Sequence, residues 1–129
     1  MELPENVDIN NIIGNLRIIS WEAADIFFYY SQKIDDLKNK DDFIKFKNGT
    51  EPVTQADIKV NELIIKRIYE KYSKLNWKIL SEESIYLNSK NKISENKYLW
   101  ILDPLDGTKD FVEGTGNYAM HLALNYENR

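Results

Sequence analysis

The 129-residue chain contains no cysteine and a single histidine, His121. The missing cysteine excludes structural disulfides and thiolate chemistry and suits a reducing, cytoplasmic setting. No apolar stretch approaches the roughly 18 residues that span a bilayer. The acidic opening, residues 1–11, lacks the basic and apolar regions of a secretory signal. A net charge of −4 gives no electrostatic reason to expect a nucleic acid polymer or an anionic membrane as partner. Internal repeats and low-complexity segments are also absent. Asn48, Gly49 and Thr50 fit a glycosylation sequon, but without secretion they read as a turn. These absences predict a soluble cytoplasmic protein.

What is present is enough apolar sequence, 43%, for one compact domain over residues 1–129. Asp8 is placed to cap a long helix over residues 9–37, with Ile12, Leu16, Ala23, Ile26, Phe27, Tyr30 and Ile34 as its buried stripe. The charged run 38–42 reads as solvated. Phe43, Ile44 and Phe46 suggest a short strand ending at the turn 48–50. Thr54 and Asp57 have the spacing of a capping box for a helix over 54–72, whose apolar face holds Val60, Leu63, Ile64 and Ile68. Residues 77–80 read as a strand and 86–96 as a polar connection. The apolar run 98–102 predicts a strand buried on both faces. A last strand over 117–125 alternates Tyr118, Met120, Leu122 and Leu124 with Ala119, His121 and Ala123. The order of elements predicts an α+β or layered α/β fold. Only a short polar tail follows the last strand, which leaves an open sheet edge, so the sequence is expected to be the front part of a longer one.

Three short stretches carry candidate chemistry, each at an element boundary. In the segment 100–108, an apolar strand runs into Asp103 and Asp106, with Pro104 fixing the backbone between them and Gly107 permitting a tight turn. Both carboxylates and the Leu105 carbonyl can then converge on a hard cation such as Mg²⁺, beside N–H groups of Gly107 and Thr108 that suit a phosphate. Asp and Gly are equally the ordinary residues of a strand-to-turn junction. Glu82 and Glu83 also follow an apolar strand, although paired glutamates are commonly just solvated. Asp57 closes the stretch 52–57, where a helix cap explains it as well.

Taken together and in this order, the three stretches resemble the inositol monophosphatase superfamily of metal-dependent, lithium-sensitive phosphatases. Asp103-Pro104-Leu105-Asp106-Gly107-Thr108-Lys109-Asp110-Phe111 is most similar to the 3'(2'),5'-bisphosphate nucleotidase branch, linked to sulfur assimilation. Ser81 before the two glutamates points the same way, whereas Asp110 stands where that branch carries Glu. The resemblance implies the N-terminal part of an α/β/α/β/α sandwich holding two or three Mg²⁺ ions. It implies Glu82, Asp103 and the Leu105 carbonyl at a first ion, Asp103 and Asp106 bridging to a second, and Glu83 supporting the site or a weaker ion. Asp57 and the Thr108 hydroxyl would orient and deprotonate the attacking water, and Gly107 and Thr108 N–H groups would hold the phosphate. Clustered carboxylates repel a phosphate dianion unless cations intervene, in keeping with such roles. The implied substrate is a small phosphorylated molecule, 3'-phosphoadenosine 5'-phosphate first, inositol monophosphate second and fructose 1,6-bisphosphate third. The implied assembly is a homodimer. Family members are longer, and their later half supplies a Trp-Asp motif completing the second metal site. The 129 residues alone are therefore expected to bind Mg²⁺ weakly and turn over little substrate. A non-catalytic interaction fragment is the alternative of a different class. His121 is expected in packing or at the surface, Trp21, Trp77 and Trp100 in the core or a subunit contact. Lys109 reads equally as solvated or as leaning toward an anion.

Overall fold

The computed structural model describes residues 3, 7–40, 42–47, 49, 51–75, 77–83 and 98–126. Helix α1 (Ile9–Ser31) starts at Asp8, whose carboxylate accepts the Asn10 N–H at 3.0 Å. The expected single helix over 9–37 is broken, because Lys33 leaves helical geometry (φ −109°, ψ 4°) before a short α2 (Ile34–Leu37). That break lets Ile34 turn into a second apolar cluster rather than continue the first stripe. Strands β1 (Ile44–Lys47) and β2 (Glu51–Thr54) pair antiparallel, with Phe46 opposite Pro52. Between them Gly49 holds a left-handed φ of 76°. The sequence reading had no β2, since four residues containing a proline give little strand signal. Proline is tolerated at a sheet edge, where its missing N–H is not needed.

Helix α3 (Gln55–Tyr72) begins with the expected capping box: the Thr54 hydroxyl accepts from the N–H groups of Ala56 and Asp57, and Asp57 accepts from the Thr54 N–H. Its buried residues Val60, Ile64, Ile68 and Tyr72 meet Ile12, Ile19 and Ala23 of α1, and Trp100 and Leu102 of the sheet. Arg67 of α3 grips Glu22 of α1 with two hydrogen bonds of 2.8 and 2.6 Å. That grip holds the Glu22 carboxyl below the usual carboxylate range.

The main sheet has strand order β3 (Lys78–Ser81), β4 (Tyr98–Asp106), β5 (Ala119–Tyr126), with β3 and β4 parallel and β4 and β5 antiparallel. One face of β4 packs Tyr98, Trp100 and Leu102 on the helices. The other face is more open, with Ile101 39% exposed, so the expectation of burial on both faces fails among the described residues. On β5, Met120, Leu122 and Leu124 pack against the core, and Ala119, His121 and Ala123 are exposed. Tyr118 falls just before β5 and joins Phe27 and Phe111 in the second cluster. A further helix, α4 (Thr108–Glu113), had no counterpart in the sequence reading. The polar connection 86–96, like Asn48 and Thr50 of the turn, lies outside the described residues. No helix among those described is long and apolar enough to cross a membrane.

Candidate metal centre

Strand register assembles the site. Ser81 pairs with Leu102, so Glu82 and Asp103 are the next residues at the carboxyl ends of two parallel neighbours. Ligand sites favour this end of parallel strands. On the antiparallel side Asp103 lies opposite His121. The pairing then shifts register between Asp103 and Asp106, which brings the second aspartate round beside the first. The Leu105 N–H donates to Asp103 Oδ1 at 3.2 Å, tying the bend to the carboxylate it presents. Gly107 closes the turn at φ 84°, and a Cβ there would lie 2.6 Å from the Asn117 carbonyl oxygen, so only glycine fits.

Glu82, Asp103, Leu105, Asp106, Gly107 and Thr108 line one cavity of about 220 Å³. Asp57 and Glu83 are buried. Asp57 Oδ2 accepts from the Thr54 backbone N–H (2.7 Å) and hydroxyl (2.6 Å), while Oδ1 accepts from the Thr108 hydroxyl at 2.9 Å. The Thr108 Oγ1 also lies 3.0 Å from the Leu105 carbonyl oxygen. Capping and site geometry thus coexist in one side chain. Behind β3, the Ser81 hydroxyl donates to Asn61 Oδ1 at 2.5 Å, anchoring the strand end on α3.

The charges are crowded. Burial, reinforced by the neighbouring carboxylates of Glu82 and Asp106, pushes Asp103 up to about 6. Burial also raises Asp57 against the hydrogen bonds of Thr54 and Thr108, and raises Glu83 against the pull of Lys47. Asp103, Asp106 and His121 each offer a ligand atom within 4.8 Å of the others. Oxygen donors that repel one another at this range fit a hard divalent cation, which would relieve the repulsion.

Two partners of this cluster were missed in the sequence. Lys47, from the end of β1, sits 3.3 Å from Glu82 Oε1 and hydrogen-bonds Glu83. Burial lowers its proton affinity, but the hydrogen bond and charge of Glu83, with those of Glu82, outweigh this and leave it raised. A lone lysine after an apolar strand gives no sequence signal for such a position. His121 is at the surface, 62% exposed, with Nδ1 3.8 Å from Asp106 Oδ2. Only the β4–β5 register, invisible in local pattern, places it beside Asp103. Lys109 lines the cavity wall and is largely solvated, 3.9 Å from Glu113.

Residues 16–129 match the model of the inositol monophosphatase family. This chain belongs to that family. It is 25% identical over 119 residues to the 3'(2'),5'-bisphosphate nucleotidase CysQ of Haemophilus influenzae, covering 92% of the chain and 40% of that protein. With inositol monophosphatase 1 of Sus scrofa it shares 36% identity over 88 residues, 68% of the chain and 31% of that protein. The chain thus spans well under half the length of these curated relatives. Its fold matches the extragenic suppressor protein suhB of Bartonella henselae with a TM-score of 0.71 at 22% identity, over 92% of the chain and 42% of that structure. The architecture is the N-terminal part of the layered α/β fold of these proteins.

Proposed function

We propose that residues 1–129 form one metal-binding domain of a magnesium-dependent phosphomonoesterase, acting on the 3'-phosphate of 3'-phosphoadenosine 5'-phosphate. The observation that carries the reading is the single cavity walled by Glu82, Asp103, Asp106 and Thr108, with Asp57 hydrogen-bonded to Thr108. Glu82, Asp103 and the Leu105 carbonyl would hold one Mg²⁺, Asp103 and Asp106 a second, with Glu83 in support. Ions held there would neutralise the phosphate dianion and polarise the phosphoryl group. The Thr108 hydroxyl, donating to Asp57 Oδ1, keeps a lone pair for the hydrogen of an attacking water. That water's proton passes to Thr108 Oγ1 as the hydroxyl proton moves to Asp57 Oδ1, whose burial raises its proton affinity. Oxygen joins phosphorus, the ester P–O bond breaks, and the leaving alkoxide takes a proton from solvent. The N–H groups of Gly107 and Thr108 hold the phosphate oxygens.

The nucleotide substrate is supported by the match to the nucleotidase over nearly the whole chain. A second reading, inositol monophosphate as substrate, is favoured by the higher identity to inositol monophosphatase 1 over a shorter stretch. Calorimetric titration with MgCl₂ tests the metal site: Asp103→Asn should weaken binding at least about tenfold, and unchanged affinity would remove Asp103 from it. Phosphate release from the two candidate substrates by a full-length protein carrying these residues tests the rest. Faster release from inositol 1-phosphate would reverse the order proposed.

A further inference from the structure

Strand β5 alternates its side chains, sending Met120, Leu122 and Leu124 to the core and His121 to the open face of the sheet. Register then decides what the imidazole meets. His121 lies directly opposite Asp103 on β4, and residues so opposed share a face, with Cβ atoms about 4.5–5.5 Å apart. Pairing resumes at Asp106 opposite Ala119, two residues from His121, so the second aspartate returns to the same corner. Two strands thus bring together two carboxylates and an imidazole, one ligand atom of each within 4.8 Å of the others. His121 Nδ1 is 3.8 Å from Asp106 Oδ2, beyond hydrogen-bond reach. Two ligands of one ion, at bonds of about 2.0–2.1 Å, stand about 3 Å apart when adjacent and about 4 Å apart when opposed, a range that contains this spacing. As a bare ion pair the contact contributes little, since both side chains are 62% exposed.

We infer that His121 is a ligand of the ion held by Asp103 and Asp106, and that this position takes Zn²⁺ or a similar transition ion in preference to Mg²⁺. The inference rests on the metal-centre reading and adds to it a nitrogen donor from this chain and a difference between the two ion positions. Glu82, Asp103 and the Leu105 carbonyl offer oxygen alone, the donor set that suits Mg²⁺. Asp103, Asp106 and His121 offer two oxygens and an imidazole nitrogen, and imidazole favours later first-row ions over Mg²⁺. Three protein donors also leave a coordination position open for a water or a phosphate oxygen, as catalytic sites require. Because the donors come from two paired strands, the ladder fixes their spacing before any ion arrives.

Composition makes the test clean. His121 is the only histidine and there is no cysteine, so an untagged chain offers Zn²⁺ one imidazole and no thiolate. NMR of the ring nitrogens and backbone amides follows titrations with ZnCl₂ and MgCl₂ at one fixed pH, and calorimetry gives the affinities. Zn²⁺ should shift the His121 ring nitrogens together with the amides of Asp103 and Asp106. His121→Ala, at an exposed position that costs the fold little, should weaken Zn²⁺ binding at least about tenfold and affect Mg²⁺ far less. If Zn²⁺ moves the aspartates but not the ring, or binds His121→Ala as tightly, His121 is no ligand and the carboxylate site still stands. If neither ion moves Asp103 or Asp106, the carboxylate site fails and the inference with it. A ring that responds to Zn²⁺ while both aspartates stay still would mean adventitious capture by an exposed imidazole, against the proposal. Should His121→Ala fail to fold, the ring and aspartate signals of the unaltered chain decide alone.

Discussion

Each oxygen of the Asp57 carboxylate has its own partner: Oδ2 serves the Thr54 cap and Oδ1 the Thr108 hydroxyl. Replacing it with Asn turns one acceptor into a donor and breaks one of these arrangements. Asp57→Asn should lower stability by about 1 kcal/mol, the worth of a cap, in urea denaturation. Asp106→Asn should lose none, because Asp106 is exposed and its charge opposes that of Asp103; a marked loss would give Asp106 a structural role. Asp103 sets a pH response. Its folded value of about 6 stands above the ordinary 3.8, so between those values the folded chain binds the proton more tightly than the unfolded chain. The metal-free chain should therefore be more stable near pH 4 than near pH 7, losing that increment as pH rises through about 6. Saturating Mg²⁺ should oppose the trend, since cations bind the deprotonated carboxylate and stabilise the folded form. Thermal melts at both pH values, with and without Mg²⁺, check it.

At the scale of elements, the site depends on a nine-residue strand that bends without breaking. Gly107 is the pivot, and Gly107→Ala must relieve both a left-handed backbone and a 2.6 Å approach to the Asn117 carbonyl. It should cost at least about 1–2 kcal/mol and disturb the β4–β5 pairing, seen as lost amide protection at Ala119. Unaltered protection would show that the turn adapts. The carboxylates around this bend were legible in the sequence because each follows an apolar run at an element boundary. The shift between Asp103 and Asp106 was not, nor was α4. A six-residue helix between two left-handed glycines, Gly107 and Gly114, lacks the two turns from which periodicity is read. Strand β2 escaped for the same reason of length. Helix α3 was read correctly because its cap and its apolar face agree.

For the whole molecule, local pattern located the longer helices and strands but not their neighbours in space. Lys47 and Glu83 are separated by 36 positions, and nothing in either segment announces the other. Pairing of this kind comes from topology, which places the hairpin over the ends of β3 and β4. The tryptophans illustrate the same point, since the sequence treated the three alike. Trp100 is fully buried between α3 and the sheet, whereas Trp21 on α1 is 72% exposed. Trp100→Ala should cost about 3–5 kcal/mol and Trp21→Ala within about 0.5 kcal/mol, measured by chemical denaturation. Similar losses for both would mean that the outer face of α1 is covered in solution.

The aromatic column Tyr72, Trp77, Trp100, Tyr98 and Tyr126, with neighbouring ring centroids between 4.9 and 5.9 Å, has an optical consequence. Rings this close, held in a fixed chiral arrangement, couple their electronic transitions, so the near-ultraviolet circular dichroism should report on the seam where α3 meets the main sheet. Emission from solvent-facing Trp21 should be red-shifted relative to that of buried Trp100. The three tryptophans thus divide into one on the skin and a pair, Trp77 and Trp100, within the column, and loosening of the sheet should alter the emission of the pair while leaving that of Trp21 unchanged.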